Sequence, residues 1–168
     1  MNEKIYELEK QIEQMKNELE TLQKKVKQEI HISFEDDPIF LLSREEYERY
    51  KLKIPHINTS WWLRTPGIGS KYVAGVIYTG NVYDGYRVDN DLCAVLPVLK
   101  YDIGIYCEAN PERFFDLGVT WTIIDKEKGL AIAEMPIMFS RFDAESNDYA
   151  TSEVRKKLLD WYKERIEW

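Results

Sequence analysis

The chain reads as an α+β protein, an antiparallel sheet with two helices, preceded by an N-terminal α-helical coiled coil. Three observations lead there. Residues 1 to about 30 carry an unbroken seven-residue apolar repeat. Between Tyr72 and Met135, short β-branched and aromatic runs alternate with turns built on Gly, Asn and Asp. From Ser152 onward the apolar residues return to helical spacing.

In the first segment Ile5, Ile12, Leu19 and Val26 occupy heptad position a, and Leu8, Met15 and Leu22 occupy d. No Pro or Gly interrupts them. A lone helix of this length is marginal in water, so the stripe needs a cover. It could fold back on its own globular domain, but a narrow a/d seam favours self-association. Isoleucine at a with leucine at d leans towards a parallel homodimer over a trimer, with Lys4 at g facing Glu9 at e of the partner helix. Glu29 at the next d position ends the seam near Lys27. The expected organisation is a coiled-coil oligomerisation helix over 1–31, a linker over 32–38 containing Glu35-Asp36-Asp37-Pro38, and one folded domain over 39–168.

Within that domain, Ile39-Phe40-Leu41-Leu42 reads as a short buried strand. Ser43 with Glu46 three residues on is a capping box, opening a helix through about Leu52 with Tyr47 and Tyr50 on its apolar face. Pro55 stops it. Thr79-Gly80-Asn81 and Asp84-Gly85 read as tight turns of a meander between Tyr72 and Tyr101. A less regular stretch follows through Asn110-Pro111. Val119–Ile124 and Leu130–Met135 are predicted to pair across the turn Asp125-Lys126-Glu127-Lys128-Gly129. Thr151 or Ser152 caps a last helix, with Val154, Leu158, Trp161, Tyr162 and Ile166 on one face.

The length of 168 residues suits one domain plus an appendage. A net charge of −7 argues against a general nucleic-acid binder, because phosphate affinity needs clustered Lys and Arg. The helical arm holds seven Glu against six Lys, so the acidity belongs to the domain. No basic leader runs into an apolar segment after Met1, and no window of 18 apolar residues occurs, so a cytoplasmic protein without membrane attachment is expected.

Trp61-Trp62-Leu63-Arg64-Thr65-Pro66-Gly67, followed by a Gly80-Asn81-Val82 turn and a Val95-Leu96-Pro97 strand, resembles the signature of a domain-of-unknown-function family of Firmicutes and their phages that reads like WWLRSPG. The resemblance extends back to the strand, Leu-Ser and acidic helix beginning at Ile39. It implies a C-type-lectin-like fold, a scaffold shared with formylglycine-generating enzymes and phage receptor-binding proteins. In the family, segments resembling Trp121–Ile132 and Ser152–Tyr162 come first and the double-tryptophan half comes last. Here the halves are swapped, which implies a circular permutation over 39–168, tolerated where termini lie close together. A fragment of two tandem domains, or half-domains exchanged between chains held by the coil, are the alternatives. The Arg of the family's Val-Arg-Pro strand is Leu96 here, which puts in doubt any function needing that charge.

Catalytic signals are weak. Formylglycine-generating relatives use a cysteine pair with copper, but Cys93 and Cys107 lie in unrelated local sequence and read as structural thiols. His31 and His56 have no nucleophile elbow nearby. Asp89-Asn90-Asp91 offers hard oxygens for calcium, yet such clusters are ordinarily turns and the sugar-binding lectin motifs are absent. No cofactor or metal is expected.

Binding without chemistry is the expectation. Tyr72, Tyr78, Tyr83 and Tyr86 lie among Asn81, Asp84, Arg87, Asp89 and Asn90, amphipathic rings beside adaptable polar groups, as in a paratope. Trp61 and Trp62 are assigned to the core and Arg64 to a structural carboxylate pair. The expected function is a non-catalytic interaction protein, phage- or prophage-encoded and oligomeric through its coil. Its target would be a host protein, for instance as an inhibitor of a defence system. A receptor-binding or adhesin-type module for a surface protein or glycan is the alternative, and an enzyme related to formylglycine-generating oxidases comes third.

Overall fold

The computed structural model describes residues 2–33, 37–102 and 112–167, with α1 side chains described to Lys24. Cys107 and the side chains of Val26 and His31 lie outside the described residues. The chain forms two compact units, Met1–Asp37 and Pro38–Trp168.

The first unit is helix α1, Asn2–Ser33. Its 32 residues span ~48 Å at 1.5 Å per residue. The helix enters the stretch expected as linker by two residues, Ile32 and Ser33, neither of them a Pro or Gly. Ile5, Leu8, Ile12, Met15, Leu19 and Leu22 all stand exposed along it.

The second unit is α+β, with two sheets among the described residues where the sequence implied one. The first sheet runs β1-β6-β9-β8-β7 and the second β10-β5-β2-β3-β4. In chain order β1 is Ile39–Phe40, α2 Arg44–Tyr50, β2 Trp61–Pro66, β3 Tyr72–Val76, β4 Val82–Arg87, β5 Ala94–Val95 and β6 Val98–Lys100. Then come β7 Arg113–Asp116, β8 Val119–Asp125, β9 Leu130–Ala133, β10 Met138–Phe139 and α3 Glu153–Ile166. Neighbours pair antiparallel except β2 and β5, which are parallel at Trp61 and Ala94.

The Val95-Leu96-Pro97 segment, expected as a strand of the meander, falls where the chain passes from one sheet to the other. Pro97 lacks the N–H a continuous ladder would need, so β5 ends in one sheet and β6 starts in the other. The chain is buried on both sides of this crossing, from Cys93 to Leu99.

Local signals set the helices as expected. Ser43 accepts from the Glu46 N–H while the Glu46 carboxylate accepts from the Ser43 N–H, completing the capping box of α2. This helix buries Tyr47 and Tyr50 and ends at Tyr50, two residues sooner than its spacing suggested, in a turn where Lys53 N–H reaches the Tyr50 carbonyl at 2.8 Å. Ser152 caps α3 by accepting from the Arg155 N–H. Val154, Leu158 and Trp161 of α3 are buried, Tyr162 is half-buried, and Ile166, expected on the same face, is exposed near the helix end.

The core is centred on Trp62 and Trp121, both wholly buried. Each indole N–H finds a carbonyl, Trp62 that of Ser140 at 2.8 Å and Trp121 that of Asp116 at 2.9 Å. Buried indoles need such partners, and these two tie β2 to the residues after β10 and β8 to the end of β7. Phe142 packs edge-on against Trp62, with ring centres 5.6 Å apart.

Two strand-level expectations differ. Asp84-Gly85 lies inside β4 and is no turn. Here Tyr86 faces Val73 while Tyr83 faces Gly75, so β4 carries one more residue than β3 over this interval, a β-bulge that Gly85 accommodates. The irregular stretch before Val119 contains β7, which pairs with β8 across a two-residue turn. That turn, Leu117-Gly118, has φ of 53° and 75°, the positive values a type I′ hairpin requires.

Candidate binding surface

The hairpin β3–β4 carries the residues singled out in the sequence. Its tip is closed by Ile77 N–H to the Asn81 carbonyl at 2.9 Å and by Gly80 at φ 91°, a conformation Gly adopts without strain. Tyr47 of α2 donates its hydroxyl to the Gly80 carbonyl at 2.6 Å and so ties the tip to the body of the domain.

The bulge decides which tyrosines meet. In a regular strand Tyr83 and Tyr86, three apart, would face opposite sides. The extra residue brings them together, with ring centres 5.0 Å apart and nearly perpendicular. Tyr83 is 51% exposed. Tyr86 is half-buried, donates its hydroxyl to Ser60 at 2.7 Å and packs edge-on to Trp62; burial pushes its phenol above the ordinary range. Both rings lie over glycines. A Cβ on Gly75 would stand 2.7 Å from the Tyr86 ring, and one on Gly85 would stand 2.7 Å from the Tyr83 hydroxyl.

Tyr78, 64% exposed, stands at the tip with Asn81, whose amide reaches Thr79 at 3.3 Å. Tyr72 is half-buried at the opposite end, against Gly69. Asp84 binds Arg44 at 2.8 Å, and Arg87 binds Asp89 at 3.0 Å. Asn90 accepts from the Leu92 N–H at 2.9 Å, which makes Asp89-Asn90-Asp91 an Asx-type turn. Four of the nine residues, Tyr83, Asp84, Tyr86 and Arg87, lie on β4; Tyr72 starts β3, Tyr78 and Asn81 stand in the tip, and Asp89 and Asn90 follow β4, so the set runs the length of the hairpin. Tyr78, Asn81, Tyr83, Arg87 and Asp89 are the exposed members.

Trp61 and Trp62 are core residues and Arg64 is buried against the Glu46 carboxylate, as expected. Cys93 is buried, and burial pushes its thiol up to about 12, which leaves almost no thiolate for nucleophilic work at neutral pH. Among the described residues no cluster of three or more His, Cys, Asp or Glu is placed to hold a metal ion. None of their helices is long and apolar enough to cross a membrane.

A more enclosed cleft lies elsewhere in this unit. A groove of about 450 Å³ lies between the β7–β8 hairpin, the β9–β10 connection and α3, lined by Phe115, Leu117, Val119, Met135, Trp161 and Arg165 among others. Its residues come from three separated segments and carry no motif. The only local hint is Leu117-Gly118, a turn hidden in a stretch without evident periodicity.

Comparison of the chain with protein-family models, with curated proteins and with solved structures returns no match.

Proposed function

We propose that this chain is a non-catalytic binding protein that recognises a protein partner with the outer face of β3–β4 and self-associates through α1. The observation that carries the reading is the pair of exposed tyrosines, Tyr78 and Tyr83, on a hairpin that Tyr86 ties to Ser60 and Trp62. Such rings offer large contact area at small entropic cost, and neighbouring Asn81 and Arg87 add adaptable hydrogen bonds. The exposed heptad seam of α1 supports the second part, since a second copy of the same helix supplies a matching a/d surface and Lys4–Glu9 contacts between chains. Two heads on one stalk raise the effective concentration at a target.

The fold reading is a permuted C-type-lectin-like domain of the WWLRSPG type, and the biological reading is a phage- or prophage-encoded protein acting on a host protein in the cytosol. The packing of α3 against β1 supports the permutation, because it holds the two ends of the 39–168 unit together.

Affinity capture with the full chain, wild type against Tyr78→Ala/Tyr83→Ala, tests the hairpin. A partner retained by the wild type and lost by a variant of unchanged melting temperature is the expected result. Identical capture profiles would remove β3–β4 as the recognition face. Light scattering on the same samples should give twice the chain mass, and a strictly monomeric chain would reject the self-association.

A further inference from the structure

The groove beside α3 has a chemical character of its own. Phe115 is 70% and Met135 72% exposed at its rim, with Leu117, Val119 and Trp161 among the apolar side chains that line it. Its volume of about 450 Å³ lies within the ordinary range of binding clefts. Two charged groups line it, and they differ in their commitments. Glu134 is occupied: Oε2 accepts from Arg113 at 2.7 Å and Oε1 from Thr122 at 2.8 Å. Arg165 pairs with no carboxylate among the described residues. Its guanidinium stacks 4.0 Å over the Trp161 ring and makes one long hydrogen bond, 3.3 Å, to the Trp161 carbonyl.

Stacking fixes the plane of a guanidinium while leaving the in-plane N–H groups at its edge available for a carboxylate. The hairpin turn adds an independent observation. Leu117 holds φ 53°, which costs a residue with a Cβ about 1 kcal/mol, where Gly or Asn would hold the same turn more cheaply. That residue lines the groove.

We propose that this groove docks a segment of a partner protein in which a large apolar side chain is followed closely by a carboxylate. The apolar side chain sits among Phe115, Leu117 and Met135, whose flexible thioether adapts to its shape. The carboxylate meets the edge of Arg165. This surface is separate in sequence from β3–β4, so the two proposals stand or fall independently.

The test uses the full isotope-labelled chain and two synthetic peptides, acetyl-Leu-Phe-Glu-amide and acetyl-Leu-Phe-Gln-amide. Each is titrated to about 5 mM, enough to resolve a dissociation constant near 1 mM. The glutamate peptide should shift the Gly118 and Thr120 amides and the Trp161 indole N–H saturably, and bind about fivefold more tightly than the glutamine peptide. Arg165→Gln should abolish that preference, and Phe115→Ser should weaken both peptides. Both side chains are exposed, and the comparison of the two peptides on the wild type needs no variant to fold. Absence of saturable shifts at these positions, equal affinities, or a preference that survives Arg165→Gln would each overturn the proposal. Shifts of the same signals on dilution without peptide would overturn it in favour of a second copy of this chain as the occupant.

Discussion

The Arg64 guanidinium and the Glu46 carboxylate form an ion pair almost wholly removed from water, and the same carboxylate closes the N-terminus of α2. Arg64 Nη2 donates to Glu46 Oε1 at 2.8 Å and its Nη1 to the Leu41 carbonyl at 2.7 Å, while Ser43 N–H reaches Glu46 Oε2 at 2.7 Å. One side chain therefore caps a helix, neutralises a buried charge and locks β2 to the β1–α2 connection.

The pair should be strongly coupled. Arg64→Met or Glu46→Leu alone leaves the partner charge buried, at a cost of about 3–5 kcal/mol. The double variant should lose much less than the sum of the two. Urea unfolding of all four proteins checks this, and additive losses would mean that the two groups do not depend on one another.

Gly75 should tolerate no side chain. A Cβ there would stand 2.9 Å from the Trp61 carbonyl oxygen and 2.7 Å from the Tyr86 ring. The ring can move, but the carbonyl belongs to the backbone of β2. Gly75→Ala should therefore destabilise by about 1–3 kcal/mol, outweighing the smaller entropic gain in the unfolded chain. A thermal melt unchanged within 1–2 °C would contradict the close approach, since about 1 kcal/mol moves a domain of this size by roughly 3–5 °C.

Tyr83 and Tyr86 touch one another yet should answer differently to truncation. Tyr86→Ala removes the contact with Trp62 and leaves Ser60 without its donor, so a loss of about 3 kcal/mol is expected. Tyr83→Ala, alone or with Arg87→Ala, should cost under about 1 kcal/mol while weakening partner binding. Stability that falls equally for both would place Tyr83 in the core.

Acid should weaken the β7–β9 region through Glu134. The hydrogen bond from Arg113, helped by the Thr122 hydroxyl, holds its carboxyl below the ordinary 4.5 against the opposing effect of burial. A carboxyl depressed in the folded state stabilises above its unfolded value and loses that contribution as pH falls through the folded one. Wild type should exceed Glu134→Gln by about 0.5 kcal/mol at pH 7, Arg113 being largely exposed, and the gap should close below pH 4.5. A gap that does not change with pH would mean the charge contributes nothing.

Features that depend on neighbours in the chain are legible in the sequence alone. The capping box at Ser43 and Glu46, the Ser152 cap, the hairpin at Asp125–Gly129 and the unbroken heptads of α1 each follow from residues within a turn or two of one another. Burial of Trp61 and Trp62 follows from apolar area, and the need for a carboxylate beside Arg64 follows from the cost of a lone buried charge.

Which carboxylate it would be was decided only when α2 packed beside β2. The same holds for the division of the strands into two sheets at Pro97 and for the parallel pairing of β2 with β5. The bulge at Asp84-Gly85 is a mismatch between two strands, and neither strand records it alone; it nevertheless brings the exposed Tyr83 against the half-buried Tyr86. The groove at Arg165 has three walls from distant segments, each unremarkable by itself. Local chemistry determined the elements and their caps, because those energies are short-ranged; tertiary packing decided the partners, the register and the exposed faces, because these depend on residues far apart in the chain.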